Sequence, residues 1–182
     1  MTSASPVLYA VICGVSNAAS SYDFIADTIA DGWRVCVITT PMGARFVDAA
    51  HLADLTGHPV RSMYANPTDP DILPAADAYV VAPASFNTVN KLANGISDTL
   101  AVGVVCEAIG NRKPIIVAPW MNRALASYGA YARSIGCLRA EGVRVVLTDQ
   151  TRPERSHHDS GGSFPWTDVL AEVRKLPHDL FG

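Results

Sequence analysis

The sequence has no excess of basic residues, no close-spaced cysteines, no histidine between His58 and His157, and no apolar run as long as a membrane span. Each absence removes a class of function. With 14 Lys and Arg against 17 Asp and Glu, the formal charge is -3, so the chain carries no electrostatic footprint for nucleic acid or an anionic membrane surface. Cys13, Cys36, Cys106 and Cys137 are scattered through apolar surroundings, which excludes a close-spaced zinc or dithiol motif and reads as reduced core thiols. The adjacent His157 and His158, with Asp159, fall in a polar loop and read as solvated, so no metal is expected. The apolar runs fall short of the roughly 20 residues of a membrane helix, and the N-terminus has no basic region before a long apolar one. A cytoplasmic protein without a membrane partner is expected. No Gly-x-Gly-x-x-Gly follows the first strand pattern, which argues against a nicotinamide dinucleotide enzyme.

What is present is a chain of 182 residues that is 49% hydrophobic, enough for one good core, so a single domain over 1–182 is expected. Short apolar runs alternate with helical patterns. The runs predict strands over 6–13, 33–39, 78–82, 115–118 and 143–147, and the one over 78–82 (AYVVA), closed by Pro83, reads as buried on both faces. Helices are predicted over 22–31, 89–94, 100–109, 124–142 and 164–176, with a short one after Thr40. The helix over 100–109 (LAVGVVCEAI) is nearly apolar all round and must be buried or lie at a subunit contact. The expected fold is α/β, a Rossmann-like (flavodoxin-like) three-layer α/β/α arrangement with a parallel sheet. Its core spans about 6–148, a flexible loop covers 151–163, and a C-terminal helix closes the chain.

Candidate binding residues gather where strands give way to helices, the edge at which open α/β sheets bind ligands. After the first strand comes Gly14-Val15-Ser16-Asn17-Ala18-Ala19-Ser20-Ser21, whose small side chains let a phosphate approach the backbone amides, supplemented by the hydroxyl of Ser16 or Ser20. A tight turn with no ligand would be written in much the same way. After the third strand, Ser85, Asn87 and Thr88 precede a helical pattern at Val89, Leu92, Ala93 and Ile96, where Ser85 suits an N-cap.

Pro83-Ala84-Ser85-Phe86-Asn87-Thr88, followed by Lys91-Leu92-Ala93-Asn94-Gly95, resembles the Pro-Ala-Ser-Ala-Asn-Thr motif of the FMN-dependent cysteine decarboxylases, with Phe86 in place of the second alanine. That family includes phosphopantothenoylcysteine decarboxylases and lantibiotic peptide decarboxylases, and is related more distantly to flavin prenyltransferases. Pro119-Trp120-Met121-Asn122 resembles its second signature, Pro-X-Met-Asn, although Leu125-Ala126 stand where Met-Trp are usual. Thr40 and Phe46 match the family's threonine or serine six residues before a phenylalanine. The resemblance implies bound FMN held by Ser16, Asn17, Ala18, Ala19, Thr40, Met42, Ser85, Phe86, Asn87, Thr88 and Trp120, the last of which could instead fill core. It implies that Asn122 binds the carboxylate of a small-molecule or peptide C-terminal substrate, and that the chain forms a homo-oligomer, a trimer or a multiple of three. The family's active-site histidine stands eight positions before the aspartate matching Asp77, which here is Asp69; the flap cysteine has no counterpart after Cys137. Asp69 is therefore the candidate base. The implied reaction is flavin-dependent decarboxylation of a cysteine-like or other small carboxylate compound; a catalytically altered FMN-binding subunit is the alternative.

Overall fold

The computed structural model describes residues 5–66, 68, 70, 72–147 and 164–176. Five parallel strands form one sheet in the order β2-β1-β3-β4-β5: β1 (Val7–Ile12), β2 (Arg34–Thr39), β3 (Ala78–Ala84), β4 (Ile115–Pro119) and β5 (Arg144–Val145). The helices are α1 (Ser21–Ala30), α2 (Ala49–Thr56), α3 (Phe86–Ala93), α4 (Leu100–Gly110), α5 (Arg123–Ser127), α6 (Gly129–Ala140) and α7 (Trp166–Val173). This is the expected three-layer flavodoxin-like order, with its switch point between β1 and β3.

Strand alternation sorts the core into two layers. Val7, Tyr9, Val11 and Cys13 face one way and pack with Val89 and Leu92 of α3, Val102 and Val105 of α4, and Ile135 and Leu138 of α6. Leu8, Ala10 and Ile12 face the other way, against Phe24 and Ile25 of α1, Leu52 of α2, and Val169 and Val173 of α7. Because β1 and β3 pair with each other while α1 and α3 leave to opposite faces, their loops diverge and open a crevice above the carboxyl ends of the two strands.

Several local expectations change. The third strand does not stop at Pro83 but runs to Ala84: a register shift between Val81 and Ala84 absorbs the proline, which brings no N–H to the ladder. The predicted helix over 124–142 is two helices, broken at Tyr128, whose backbone is extended (φ -71°, ψ 125°). The break leaves α5 without a buried residue, while α6 turns Tyr131, Ser134, Ile135 and Leu138 into the core. The last strand shrinks to Arg144–Val145, although Val146 still donates to the Val117 carbonyl. Beyond β2, Arg61 pairs in parallel with Ile38 and lengthens that edge of the sheet. Of the two places expected for helix α4, full burial is not what one chain provides: Ala101, Val102, Val105 and Ala108 are covered and Glu107 is exposed. Cys13 and Cys36 are core thiols as expected, but Cys106 is half-buried and Cys137 is exposed, its Sγ donating to the Ala93 carbonyl; all four are free.

Candidate functional site

Four strand-to-helix loops meet at the carboxyl edge. The first, after β1, turns through a 3-10 segment, Ala18–Ser20, into α1. Ser16 Oγ donates to Asn17 Oδ1 (3.0 Å), and Ser20 Oγ donates to the Asn17 carbonyl (2.7 Å). Ser16 and Ala19 are exposed, Asn17 half-buried, and the Ala18 methyl is buried in the core, so only the backbone of Ala18 can meet a ligand.

The second loop, after β2, is tied directly to the first. Thr40 N–H donates to the Ile12 carbonyl, and Thr40 Oγ1 accepts from Gly43 N–H (3.0 Å). The Thr40 hydroxyl therefore caps its own turn and keeps its proton to donate. Gly43 sits so close to β1 that an added Cβ would lie 2.4 Å from the Ile12 carbonyl oxygen, and a Cβ on Gly14 would come 2.6 Å from Met42 Cγ. No side chain fits at either glycine without moving one loop off the other. Met42 is thus an exposed side chain resting on Gly14 at the crevice mouth.

The third loop begins α3 earlier than the apolar pattern indicated. Ser85 is the N-cap, its Oγ accepting from Thr88 N–H (3.2 Å), so Asn87 and Thr88 stand in the first helical turn rather than before it. Asn87 is exposed at that N-terminus, where backbone N–H groups and the helix dipole favour an anionic or carbonyl oxygen. Thr88 is buried and accepts from Cys13 Sγ (3.2 Å), while the Ser85 and Thr88 hydroxyls lie 3.0 Å apart. Cys13 therefore forms the floor where the first and third loops part. Burial pushes its thiol up from the ordinary value, partly offset by its contacts with Thr88 and Ser85, so it stays protonated and serves as a donor rather than a nucleophile.

The fourth loop, after β4, is held to the third by Trp120 N–H donating to the Ala84 carbonyl (2.8 Å). Asn122 is half-buried and caps α5, its Oδ1 accepting from Leu125 N–H (2.9 Å), which leaves the Nδ2 hydrogens as the group it can offer a substrate oxygen. Phe86 lies beside the exposed Tyr128, ring centroids 6.3 Å apart and planes 26° from parallel, so the bulk added at Phe86 is shared with the helix break. The Trp120 ring fills core, as the sequence also allowed, and its buried Nε1 has no hydrogen-bond partner among the described residues. The ring is buried in the α1/α7 layer, edge-on to Phe164 (5.6 Å), because alternation past β4 directs it with Ile116 and Ala118.

The structure thus brings Ser16, Asn17, Ala19, Thr40, Met42, Ser85, Phe86, Asn87, Thr88 and Asn122 to one edge. Asp69 and the loop over 151–162, with His157 and His158, lie outside the described residues. Among the described residues no group of three or more His, Cys, Asp or Glu side chains could hold a metal. Two residues went unmarked in the sequence: Ser21 Oγ, at the start of α1, and Thr39 Oγ1, at the end of β2, are both buried and have no hydrogen-bond partner among the described residues. A hydroxyl closing an otherwise apolar strand run was the available signal at Thr39.

A family model described as Flavoprotein matches residues 3–177. The chain is 29% identical over 187 residues to the Mycobacterium tuberculosis (strain ATCC 25618 / H37Rv) coenzyme A biosynthesis bifunctional protein CoaBC, a match that covers 94% of this chain and 44% of that protein. The chain thus spans less than half the length of that relative. It is 27% identical over 157 residues to a probable phosphopantothenoylcysteine decarboxylase of Streptococcus mutans serotype c, covering 82% of this chain and 84% of the relative. Among solved structures, the FMN-dependent cysteine decarboxylase TvaF from thioviridamide biosynthesis superposes with a TM-score of 0.72 and 28% identity, over 93% of this chain and 96% of that one.

Proposed function

The chain belongs to the Flavoprotein family, and on that premise we propose that it binds FMN in the crevice between the β1 and β3 loops and decarboxylates a cysteine-like or other small carboxylate compound. The observation that carries the cofactor is the pair of buried hydroxyls, Ser21 at the start of the ten-residue helix α1 and Thr39 at the end of β2, that have no hydrogen-bond partner among the described residues. An unsatisfied buried hydroxyl costs about 1–3 kcal/mol, and a phosphate or ribityl oxygen at this edge offsets that cost. Ser16, Asn17, Ala19, Thr40, Met42, Ser85, Asn87 and Thr88 complete the holding set. When bound, FMN supplies an electron sink for the pair released as carbon dioxide departs.

The protein's own part is to bind and orient. Asn122 offers Nδ2 hydrogens to the substrate carboxylate without adding charge, and its position is fixed because its other amide atom is spent on α5. The similar FMN-dependent cysteine decarboxylase and probable phosphopantothenoylcysteine decarboxylase support this reaction class. The base is assigned to Asp69, at the family's histidine position. Two features of the sequence favour a second reading, an FMN-binding subunit with altered catalysis: neither that histidine nor the flap cysteine is present. Flavin prenyltransfer is a poorer fit, because its basic and aromatic active-site residues are not evident. In either case the chain is a homo-oligomer, a trimer or a multiple of three.

The test is to purify the protein, release the cofactor and identify it by mass spectrometry, then screen cysteine-terminated compounds in air for a product lighter by carbon dioxide and two hydrogens, the two electrons passing to FMN and then to oxygen. Bound FMN with product supports decarboxylation; bound FMN without product in wild type, but with product in Asp69→His, supports the altered subunit. A colourless protein that cannot be reconstituted with FMN overturns both.

A further inference from the structure

We propose that Trp166, far from the signature motifs in sequence, is a positioning residue for the cofactor cradle; the proposal rests on the FMN reading above. Trp166 opens α7, and its indole Nε1 donates to Ser20 Oγ (2.8 Å), a hydroxyl 146 positions earlier in the chain. Ser20 Oγ passes its own proton to the Asn17 carbonyl (2.7 Å), which also accepts from Ser20 N–H (3.2 Å). The N–H of the same peptide, on Ala18, donates to the Val15 carbonyl (3.0 Å). The peptide between Asn17 and Ala18 is thus held at both ends, and one of its three hydrogen bonds leads through Ser20 Oγ to α7.

The indole cannot easily swing away. It stacks on Phe24 of α1 (5.1 Å, 26°) and lies against Phe164 (4.5 Å), which in turn meets Trp120 edge-on. At the far end of α7, Arg174 forms a paired contact with Asp31 beyond the end of α1, through Nε (2.7 Å) and Nη2 (3.2 Å). Contacts at both ends fix how α7 lies along α1, and so where the indole N–H is delivered. Phenylalanine at 166 would fill the same aromatic layer; only tryptophan supplies the donor. The sequence reading offered the Ser20 hydroxyl to phosphate. Here it is occupied, and its role is to shape the loop.

The test compares Trp166→Phe, Ser20→Ala and the double variant in the full chain. Each single substitution is expected to raise the FMN dissociation constant, read from flavin fluorescence on reconstitution, by about three- to tenfold. The double variant is expected to bind no more weakly than the weaker single, because both remove one relay. Independently of FMN, amide exchange in residues 17–20 of the ligand-free protein should quicken in Trp166→Phe while β1 and β3 amides stay protected. Unchanged exchange overturns the restraint. Unchanged affinity, or fully additive losses, overturns its role in the cradle. A wild-type protein that takes up no FMN while the exchange difference stands overturns the flavin reading and supports the loop restraint.

Discussion

At the residue scale, the informative groups are polar atoms whose partners are missing or already spent. Thr39 is fully buried and its hydroxyl has no partner among the described residues, so Thr39→Val, nearly isosteric, should stabilise the ligand-free protein by about 1 kcal/mol. The same change should weaken FMN binding if that hydroxyl meets the cofactor. Urea midpoints of the ligand-free protein and an FMN titration of both proteins check the two opposite signs. Asn122 presents the reverse case, because its Oδ1 already serves α5. Asn122→Asp keeps a good cap and adds a charge against the carboxylate proposed to bind there, so turnover should vanish while flavin absorbance and thermal midpoint hold. Asn122→Ala should instead lose about 1 kcal/mol of stability along with turnover.

At the scale of elements, two N-caps of the same kind separate stability from binding. Asp48 caps α2 through Ala50 and His51, far from the third loop; Ser85 caps α3 within the site. Replacing either by alanine should cost about 0.5–2 kcal/mol in denaturant unfolding. Only Ser85→Ala should also weaken flavin binding, since Ser85 supports Thr88 and, through it, the Cys13 floor. Equal flavin affinity in both variants would remove Ser85 from the site. The helix break at Tyr128 belongs to this scale too: no proline marks it, and the apolar pattern runs through it, so the sequence read one helix where the core required two.

For the whole molecule, the buried thiols set an alkaline limit. Burial pushes Cys36 up to about 11 from an ordinary 9.0, only partly offset by Arg34, and it raises Cys13 and Cys106 as well. These groups ionise more easily unfolded than folded. Their contribution is therefore complete below pH 9 and is lost as pH rises from the unfolded value through the folded one, for Cys36 between 9.0 and about 11. Urea midpoints should fall across that window, and less steeply in Cys36→Ala measured against its own value at pH 7. Assembly also belongs here. Met63, Tyr64, Ile72 and Ile96 are exposed large apolar residues, which fits burial against other copies. Light scattering should give three times the 19.3 kDa chain mass, or a multiple of that. A stable monomer that keeps FMN would contradict the oligomer.

The sequence by itself determined what depends on neighbouring residues: alternating apolar runs that make strands, Ser85 as a cap, and small-residue turns at strand ends that identify the binding edge and the family. These signals are local, so no folded contact is needed to read them. Only the tertiary structure decided which side chains at that edge remain free to bind. Trp120 and Trp166 look alike in sequence and both touch Phe164, yet strand alternation buries Trp120 while helix packing aims the Trp166 indole N–H at Ser20. Ser20 and Ser21 are adjacent, but one hydroxyl is spent across 146 positions and the other is buried without a partner among the described residues. The difference lies in contacts between distant elements, which α7 makes only by docking on α1, and no local pattern encodes them.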